Sequence, residues 1–223
     1  MRPVRKIKGS VFLSLDGVMQ APGGPTEDWT GGFDLGGRLQ GFFDEVAGET
    51  VGAFFSGAYD LLLGRKTYDI FAAYWPYATG ENAPMGEAFT QAGKYILTHS
   101  DAPLEWQNSH RLGHIEEIAT LKKTSGPDLL IQGSSKLYPQ LLTAGLLDRL
   151  TILTFPVVLG KGKRLFGDGT PMGAMKMLDH KVSPKGTVIA TYEPAGQIEL
   201  ASFGSVEPNA REAARQERME QEG

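Results

Sequence analysis

Two short apolar runs, each halted by a glycine, constrain this chain more than any other feature. Tyr59-Asp60-Leu61-Leu62-Leu63 stops at Gly64, and Asp128-Leu129-Leu130-Ile131-Gln132 stops at Gly133. A strand with one wet face alternates apolar and polar residues. A run with almost no alternation has no wet face and belongs in a parallel sheet covered by helices on both sides. Each run is followed by a helical pattern, over residues 65–73 and 137–144. Pro139 is tolerated only in a first turn, so the second helix should begin at Ser135 or Lys136.

The same alternation extends along most of the chain. Strands are expected at 7–15, 94–98, 109–112 and 150–159, the last being the longest β-branched run. Helices are expected at 38–51, where Leu39, Phe42, Phe43, Val46 and Thr50 share one face, near 85–92, and at 115–123. Two closing strands, 176–182 and 187–192, flank the turn Ser183-Pro184-Lys185-Gly186. Strand–helix alternation ending in a hairpin predicts an α/β fold with a mainly parallel sheet and an antiparallel edge. No repeat or linker divides the body, so residues 1–205 read as one domain. Residues 206–223 are dominated by Glu, Arg and Gln, with Glu207–Arg211 and Arg218–Glu222 spaced as helical pairs. That tail is either a solvated helix or a disordered end.

Composition removes whole classes of chemistry. With 22 Lys and Arg against 26 Asp and Glu the net charge is −4, which argues against a nucleic-acid surface. The absence of cysteine excludes disulfides, thiolate metal sites and cysteine nucleophiles. Basic residues followed by the apolar 11–15 imitate a leader peptide, but Asp16 interrupts too early. No stretch has the apolar length of a membrane span. The chain reads as soluble and cytoplasmic. No G-x-G-x-x-G follows a strand, and no G-x-x-x-x-G-K-[ST] or G-x-S-x-G occurs. His110 and His114 have helical ligand spacing, yet Gly113 separates them and no third ligand presents itself, so no metal site is expected.

Polar residues gather instead at strand ends. Gly64-Arg65-Lys66-Thr67 opens a helix with two cations and a hydroxyl; Thr98-His99-Ser100 follows another strand; Gly133-Ser134-Ser135 turns into a third helix. Singly, each reads as ordinary capping. Jointly, at the carboxyl ends of strands in one sheet, they suit a phosphate-bearing dinucleotide. Residues 19–37 form a Gly- and Pro-rich loop too long for a plain connection.

Several motifs together resemble one family. They are Ser14-Leu15-Asp16-Gly17, then Leu63-Gly64-Arg65-Lys66-Thr67-Tyr68 with Tyr74-Trp75-Pro76, then Leu146-Leu147-Asp148-Arg149-Leu150, and finally Pro156-Val157-Val158-Leu159-Gly160-Lys161-Gly162-Lys163-Arg164-Leu165-Phe166. The chain from Lys6 to Tyr192 resembles the dihydrofolate-reductase-like proteins related to the C-terminal reductase domain of the riboflavin-biosynthesis enzyme RibD. The resemblance implies a three-layer fold with an eight-stranded mixed sheet, NADPH as cofactor, and hydride transfer to a pterin-like or other small heterocycle. It implies that Gly64, Arg65, Lys66 and Thr67 hold cofactor phosphates and that Thr98, His99 and Ser100 surround the adenosine 2′-phosphate. Gly133, Ser134, Ser135 and Leu137 would lie against the pyrophosphate, with Gln132 where the family often has a first glycine.

On the substrate side the family motif places Asp16 near the active site, and Trp29 and Phe33 of the long loop, with Gly160, complete the candidate set. Asp16 is the first candidate for the proton that must accompany the hydride, partial burial being expected to favour its protonated form. Asp28 and Asp34 compete with it, and Trp29 or Phe33 would stack on a planar substrate or serve as a lid. Two rival readings accompany this one. The first is a stand-alone 5-amino-6-(5-phosphoribosylamino)uracil reductase, less supported because no zinc-deaminase domain with H-x-E and P-C-x-x-C elements precedes it. The second is an NADPH-binding protein without catalysis. A homodimer is expected, paired through the late sheet elements around residues 150–159 and the glycine-basic segment after them.

Overall fold

The computed structural model describes residues 4–201, 204 and 209–222. One eight-stranded sheet organises them. The strands are β1 (Ile7–Ser14), β2 (Tyr59–Gly64), β3 (Lys94–Leu97), β4 (Ser109–Leu112), β5 (Asp128–Gln132), β6 (Arg149–Phe155), β7 (Met175–Val182) and β8 (Val188–Pro194). Their spatial order is β4-β3-β2-β5-β1-β6-β8-β7. The first six in that order pair in parallel, whereas β8 is antiparallel to both β6 and β7. The helices are α1 (Glu45–Phe54), α2 (Arg65–Tyr74), α3 (Ala83–Gln91), α4 (Ile115–Lys122), α5 (Leu137–Thr143) and α6 (Ala210–Glu222).

Side-chain parity divides the helices between the two faces. On β1, Ile7, Val11 and Leu13 meet Ile118 of α4 and Tyr138 and Leu141 of α5. On the opposite face Leu61, Leu63 and Leu130 pack with Tyr68 and Phe71 of α2 and Phe89 of α3, and Leu153 and Phe155 pack with Ala47 of α1. The uninterrupted runs of β2 and β5 are therefore explained: Leu61, Leu62 and Leu63 are completely buried, as are Leu129 and Ile131, because alternate residues serve different cores.

Most expected elements form with bounds shifted by a residue or two, and two differ for identifiable reasons. The helix expected at 38–51 begins later. Gln40–Phe42 is a single 3-10 turn, Phe43 is extended, and Asp44 starts α1 by accepting the Ala47 N–H at 3.1 Å. Leu39 still packs against that core, so the apolar spacing reflected burial and not a continuous helix. The run 150–159 leaves the sheet at Phe155, because Pro156 cannot donate to a ladder. β6 lies between β1 and β8, an interior strand rather than an edge. In the tail, Ala210–Glu222 is helical; Glu207 lies outside the described residues.

Ion pairs fasten the amino-terminal edge of the sheet. Buried Arg5 pairs with Asp60, whose other oxygen accepts the Gly93 N–H at 2.9 Å. Asp148 binds both Lys122 and Lys6. Lys94, fully buried, donates to the carbonyls of Phe89, Thr90 and Ala92 that close α3 and lies 4.4 Å from the Trp106 ring centroid. Burial lowers its pKa to about 8.

β1 and α5 approach so closely at Gly9 that a Cβ there would sit 2.5 Å from the buried Tyr138 ring. Gly9→Ala should accordingly destabilise the fold by about 1–3 kcal/mol, the cost of overpacking a filled core. Urea unfolding would register this as a lower midpoint at unchanged slope.

Candidate active site

The carboxyl edge of the sheet splits between β2 and β5, its two central parallel neighbours. From β2 the chain turns into α2 on one face; from β5 it turns into α5 on the other. Connections leaving in opposite directions open a crevice at that point. The two turns are tied together across it. The Gly64 N–H donates to Ser134 Oγ at 2.9 Å, and the Ser134 N–H donates to Thr67 Oγ1 at 3.0 Å. Gly133 and Ser134 both have positive φ, 66° and 59°, and a Cβ on Gly133 would meet Thr67 at 3.1 Å. The backbone is thereby drawn close to the start of α2, which has no side-chain cap and leaves its first N–H groups open. Gly64, Thr67, Gly133 and Ser134 are thus brought into one turn-to-turn contact, with Ser135 next in the chain.

A second polar group lies over β3 and β4. Thr98 Oγ1 accepts the Ser100 N–H at 3.0 Å and Ser100 Oγ the Ala102 N–H at 3.2 Å, folding this loop back. Arg65 donates to Asp69 at 2.8 Å and to the Ala102 carbonyl at 2.8 Å. Arg111, which the sequence reading did not single out, donates to the same carbonyl at 2.7 Å. The exposed His99 ring lies 5.7 Å from that of His114, while His110 stacks on Tyr95. Among the described residues no group of three or more His, Asp or Glu is arranged to hold a metal ion. These residues fit a phosphate-bearing dinucleotide: open helix N–H groups, a close glycine turn, and two guanidinium groups anchored at one carbonyl.

Leu137 is corrected. The first residue of α5, it is 2 % exposed in the core, and its N–H is spent on the Ser134 carbonyl at 2.8 Å. It packs and presents no surface to a ligand.

On the other side of the crevice the long loop is stitched to the segment following β6. Asp16 accepts the Leu159 N–H at 3.0 Å and the Gly160 N–H at 2.8 Å, and Ser14 Oγ donates to it at 2.6 Å. Val18 bridges Arg164, and Arg164 Nε donates to the Asp16 carbonyl. Phe33, 3 % exposed, packs against Val18, and a Cβ on Gly162 would strike both. A cavity of about 270 Å³ lies beneath, lined by Gln20, Thr30, Gly31, Phe33, Lys161, Gly162 and Lys163. Trp29 is 64 % exposed and is not part of that lining.

The surroundings of Asp16 favour its ionised form, where partial burial was expected to favour the protonated one. The Ser14 hydroxyl and the Leu159 and Gly160 amides outweigh desolvation and lower the Asp16 pKa to about 2. Asp16 is therefore an ionised clamp on the 159–160 turn. Its rivals fare no better. Burial opposes ionisation of Asp28, but hydrogen bonds from Lys163, Thr30 and Lys66 depress its pKa below the ordinary range. Asp34 is 72 % exposed and is held ionised by Lys161 at 2.9 Å. Glu27, missed in the sequence, is the loop carboxyl whose pKa burial raises; it accepts the Gly23 N–H at 2.6 Å and does not line the cavity. Gln132 ends β5 with a buried Oε1 that has no hydrogen-bond partner among the described residues, an acceptor left open at the crevice floor.

The RibD C-terminal domain family model matches residues 5–189. The chain belongs to the RibD C-terminal domain family. It is 26% identical over 191 residues to uncharacterized protein YyaP of Bacillus subtilis (strain 168), covering 84% of this chain and 94% of that one. It also resembles a crystal structure of a putative riboflavin biosynthesis protein from Shewanella sp. PV-4 (TM-score 0.61, 19% identity, 85% of this chain and 99% of that one). Dihydrofolate reductase from Enterococcus faecalis, complexed with NADP(H), superposes with TM-score 0.54 at 14% identity, covering 87% of this chain and 99% of that one. The fold is thus dihydrofolate-reductase-like, and the family supports a reductase-like function.

Because the folded pKa of Asp16, about 2, lies below its ordinary 3.8, its contribution to stability is complete above about pH 4 and is lost as pH falls through 2. Asp16→Asn should be less stable than wild type at pH 7, and the gap should narrow between pH 4 and 2. Urea unfolding of both proteins across that range measures it.

Proposed function

We propose that this protein is an NADPH-dependent reductase that passes a hydride to a small pterin-like or related nitrogen heterocycle. The interlocked turns at Gly64–Thr67 and Gly133–Ser134 carry this reading, because they leave an uncapped helix start beside a close backbone turn at the sheet's switch point. NADPH would supply the hydride. The chain's own part is binding and positioning. The first N–H groups of α2 and Arg65 favour phosphate oxygens, while Arg65, Arg111, His99 and Ser100 form the surroundings suited to a 2′-phosphate. Asp16, ionised, holds the 159–160 turn in place rather than giving up a proton. Among the described residues no carboxyl lines the cavity, and water is the proposed source of the proton for the reduced atom.

Family membership favours a second reading of the substrate, 5-amino-6-(5-phosphoribosylamino)uracil. A substrate panel containing this compound and a set of pterins, followed by the loss of NADPH absorbance, separates the two. Binding of NADPH without oxidation by any of them would favour a non-catalytic binder.

If the Arg65 and Arg111 surroundings take a 2′-phosphate, NADPH should bind more tightly than NADH by about 1–3 kcal/mol. Arg65→Ala and Arg111→Ala should each weaken NADPH more than NADH in calorimetric titrations. Equal losses would return both residues to a structural role.

The homodimer is proposed with a different surface from the one expected in the sequence. Interior β6 offers no edge, whereas β7 is exposed along nearly its whole length, with Met177 at 50 % and Val182 at 63 %. β7 is an uncovered edge strand that carries Met177, Leu178 and Val182 among polar residues, and an open edge offers a surface for pairing with a second copy. Light scattering should give a dimer mass at micromolar protein, and Val182→Lys should shift it toward the monomer.

A further inference from the structure

The reductase reading leaves one charge cluster unused. Lys66, in the first turn of α2, and Lys163, beyond β6, converge on a single carboxylate in the long loop. Lys66 lies 3.0 Å from Asp28 Oδ1 and Lys163 2.6 Å from Asp28 Oδ2. Both ammonium groups also donate to Thr30 Oγ1, at 2.6 and 2.8 Å, and Thr30 donates to Asp28 at 2.6 Å. Asp28 is 8 % exposed, while the lysines remain 50 % and 39 % exposed, so a buried carboxylate is gripped by two cations reaching in from solvent.

The grouping is unbalanced. Two positive charges share one negative charge, and burial together with the neighbouring Lys66 lowers the pKa of Lys163. A second anion would relieve that repulsion. The cavity wall supplies room for one, since Lys163 and Thr30 both line it. The loop around Asp28 turns at Gly31 and Gly32, whose φ values are 72° and 73° and where a Cβ would touch nothing, so no side-chain packing at these two positions adds to the hold of the ion pairs. Besides the lysines, the Gln20 side chain holds this segment, donating to the Asp28 and Thr30 carbonyls at 3.1 and 3.0 Å.

We propose that Asp28 is an internal counter-ion that latches the 22–34 segment onto Lys66 and Lys163, and that a phosphate-bearing ligand at the start of α2 competes for Lys66 and loosens the latch. Occupancy of the helix start and order in the loop are then coupled through one lysine, because Lys66 cannot serve both anions fully. This rests on the reading of α2 as a phosphate site, and the test separates the two ideas.

Hydrogen–deuterium exchange of residues 22–34 is followed with inorganic pyrophosphate and, separately, with NADPH. Saturating pyrophosphate should speed exchange in the wild-type segment. Asp28→Asn should already exchange faster without ligand and should bind pyrophosphate roughly five- to twentyfold more tightly, the scale of one charge-assisted contact released. Lys163→Met should loosen the segment in the same way without that gain in affinity, which guards against a merely misfolded Asp28 variant. Pyrophosphate affinity in Asp28→Asn equal to or weaker than wild type, or segment exchange unmoved by either substitution, overturns the latch. NADPH bound equally by both proteins would sink the latch and spare the cofactor reading. Pyrophosphate bound more tightly by Asp28→Asn while neither protein binds NADPH would do the reverse.

Discussion

The contact on which the site depends is the reciprocal hydrogen bonding of two turns seventy residues apart in sequence. Gly64 donates to the Ser134 hydroxyl, and the Ser134 amide donates to the Thr67 hydroxyl. A crevice at a switch point is open because its two helices diverge, and nothing in the sheet ladder fixes how far apart their starts lie. Here hydroxyls set the separation. Both residues at the β5 turn take left-handed backbone, which costs little at Gly133 and more at Ser134, so the hydrogen bonds must outweigh that strain. The outcome is a rigid frame around helix N–H groups that the frame itself does not consume.

Charge is distributed in keeping with that frame. At the amino-terminal edge, Arg5, Lys6, Lys8 and Lys122 each meet a carboxylate of Asp60, Asp128 or Asp148, tying loops to strands. At the carboxyl edge, two lysines share Asp28, and Arg111 has a carbonyl but no carboxylate partner among the described residues. A chain with net charge −4 therefore still sets two lysines against one carboxylate at this edge. Net charge alone says nothing against an anionic small molecule, because field depends on where charges lie.

The buried strands were legible in the sequence because burial on both faces leaves an uninterrupted apolar run, and the glycines marked their ends. The first helix was misplaced for the same physical reason: Leu39 and Phe42 are apolar because they pack on Phe155 and Ile189, and periodicity alone does not separate packing from helicity. Asp44 held the relevant signal, a capping residue just ahead of α1. Leu137 follows the glycine–serine turn closely in sequence, yet an apolar residue opening a helix that covers the sheet packs into the core. Arg111 and Lys163 escaped notice because their partners are 9 and 135 residues away along the chain, at Ala102 and Asp28. No local pattern encodes such meetings.

Asp16 illustrates how position and protonation come apart. A carboxyl at the end of a buried strand beside a glycine loop suggested a raised pKa, since desolvation penalises charge. Yet the strand end is also where backbone amides lose their ladder partners, and an aspartate there is the nearest acceptor. Leu159 and Gly160 turn their N–H groups onto it, Ser14 adds a hydroxyl, and the hydrogen bonds exceed the desolvation that the partly open site imposes. Ionisation is the condition for its grip, because a protonated carboxyl would have to present one oxygen as a donor toward groups that themselves donate. The hydrogen bonds that fasten the turn and the ionised form of the carboxyl therefore support each other.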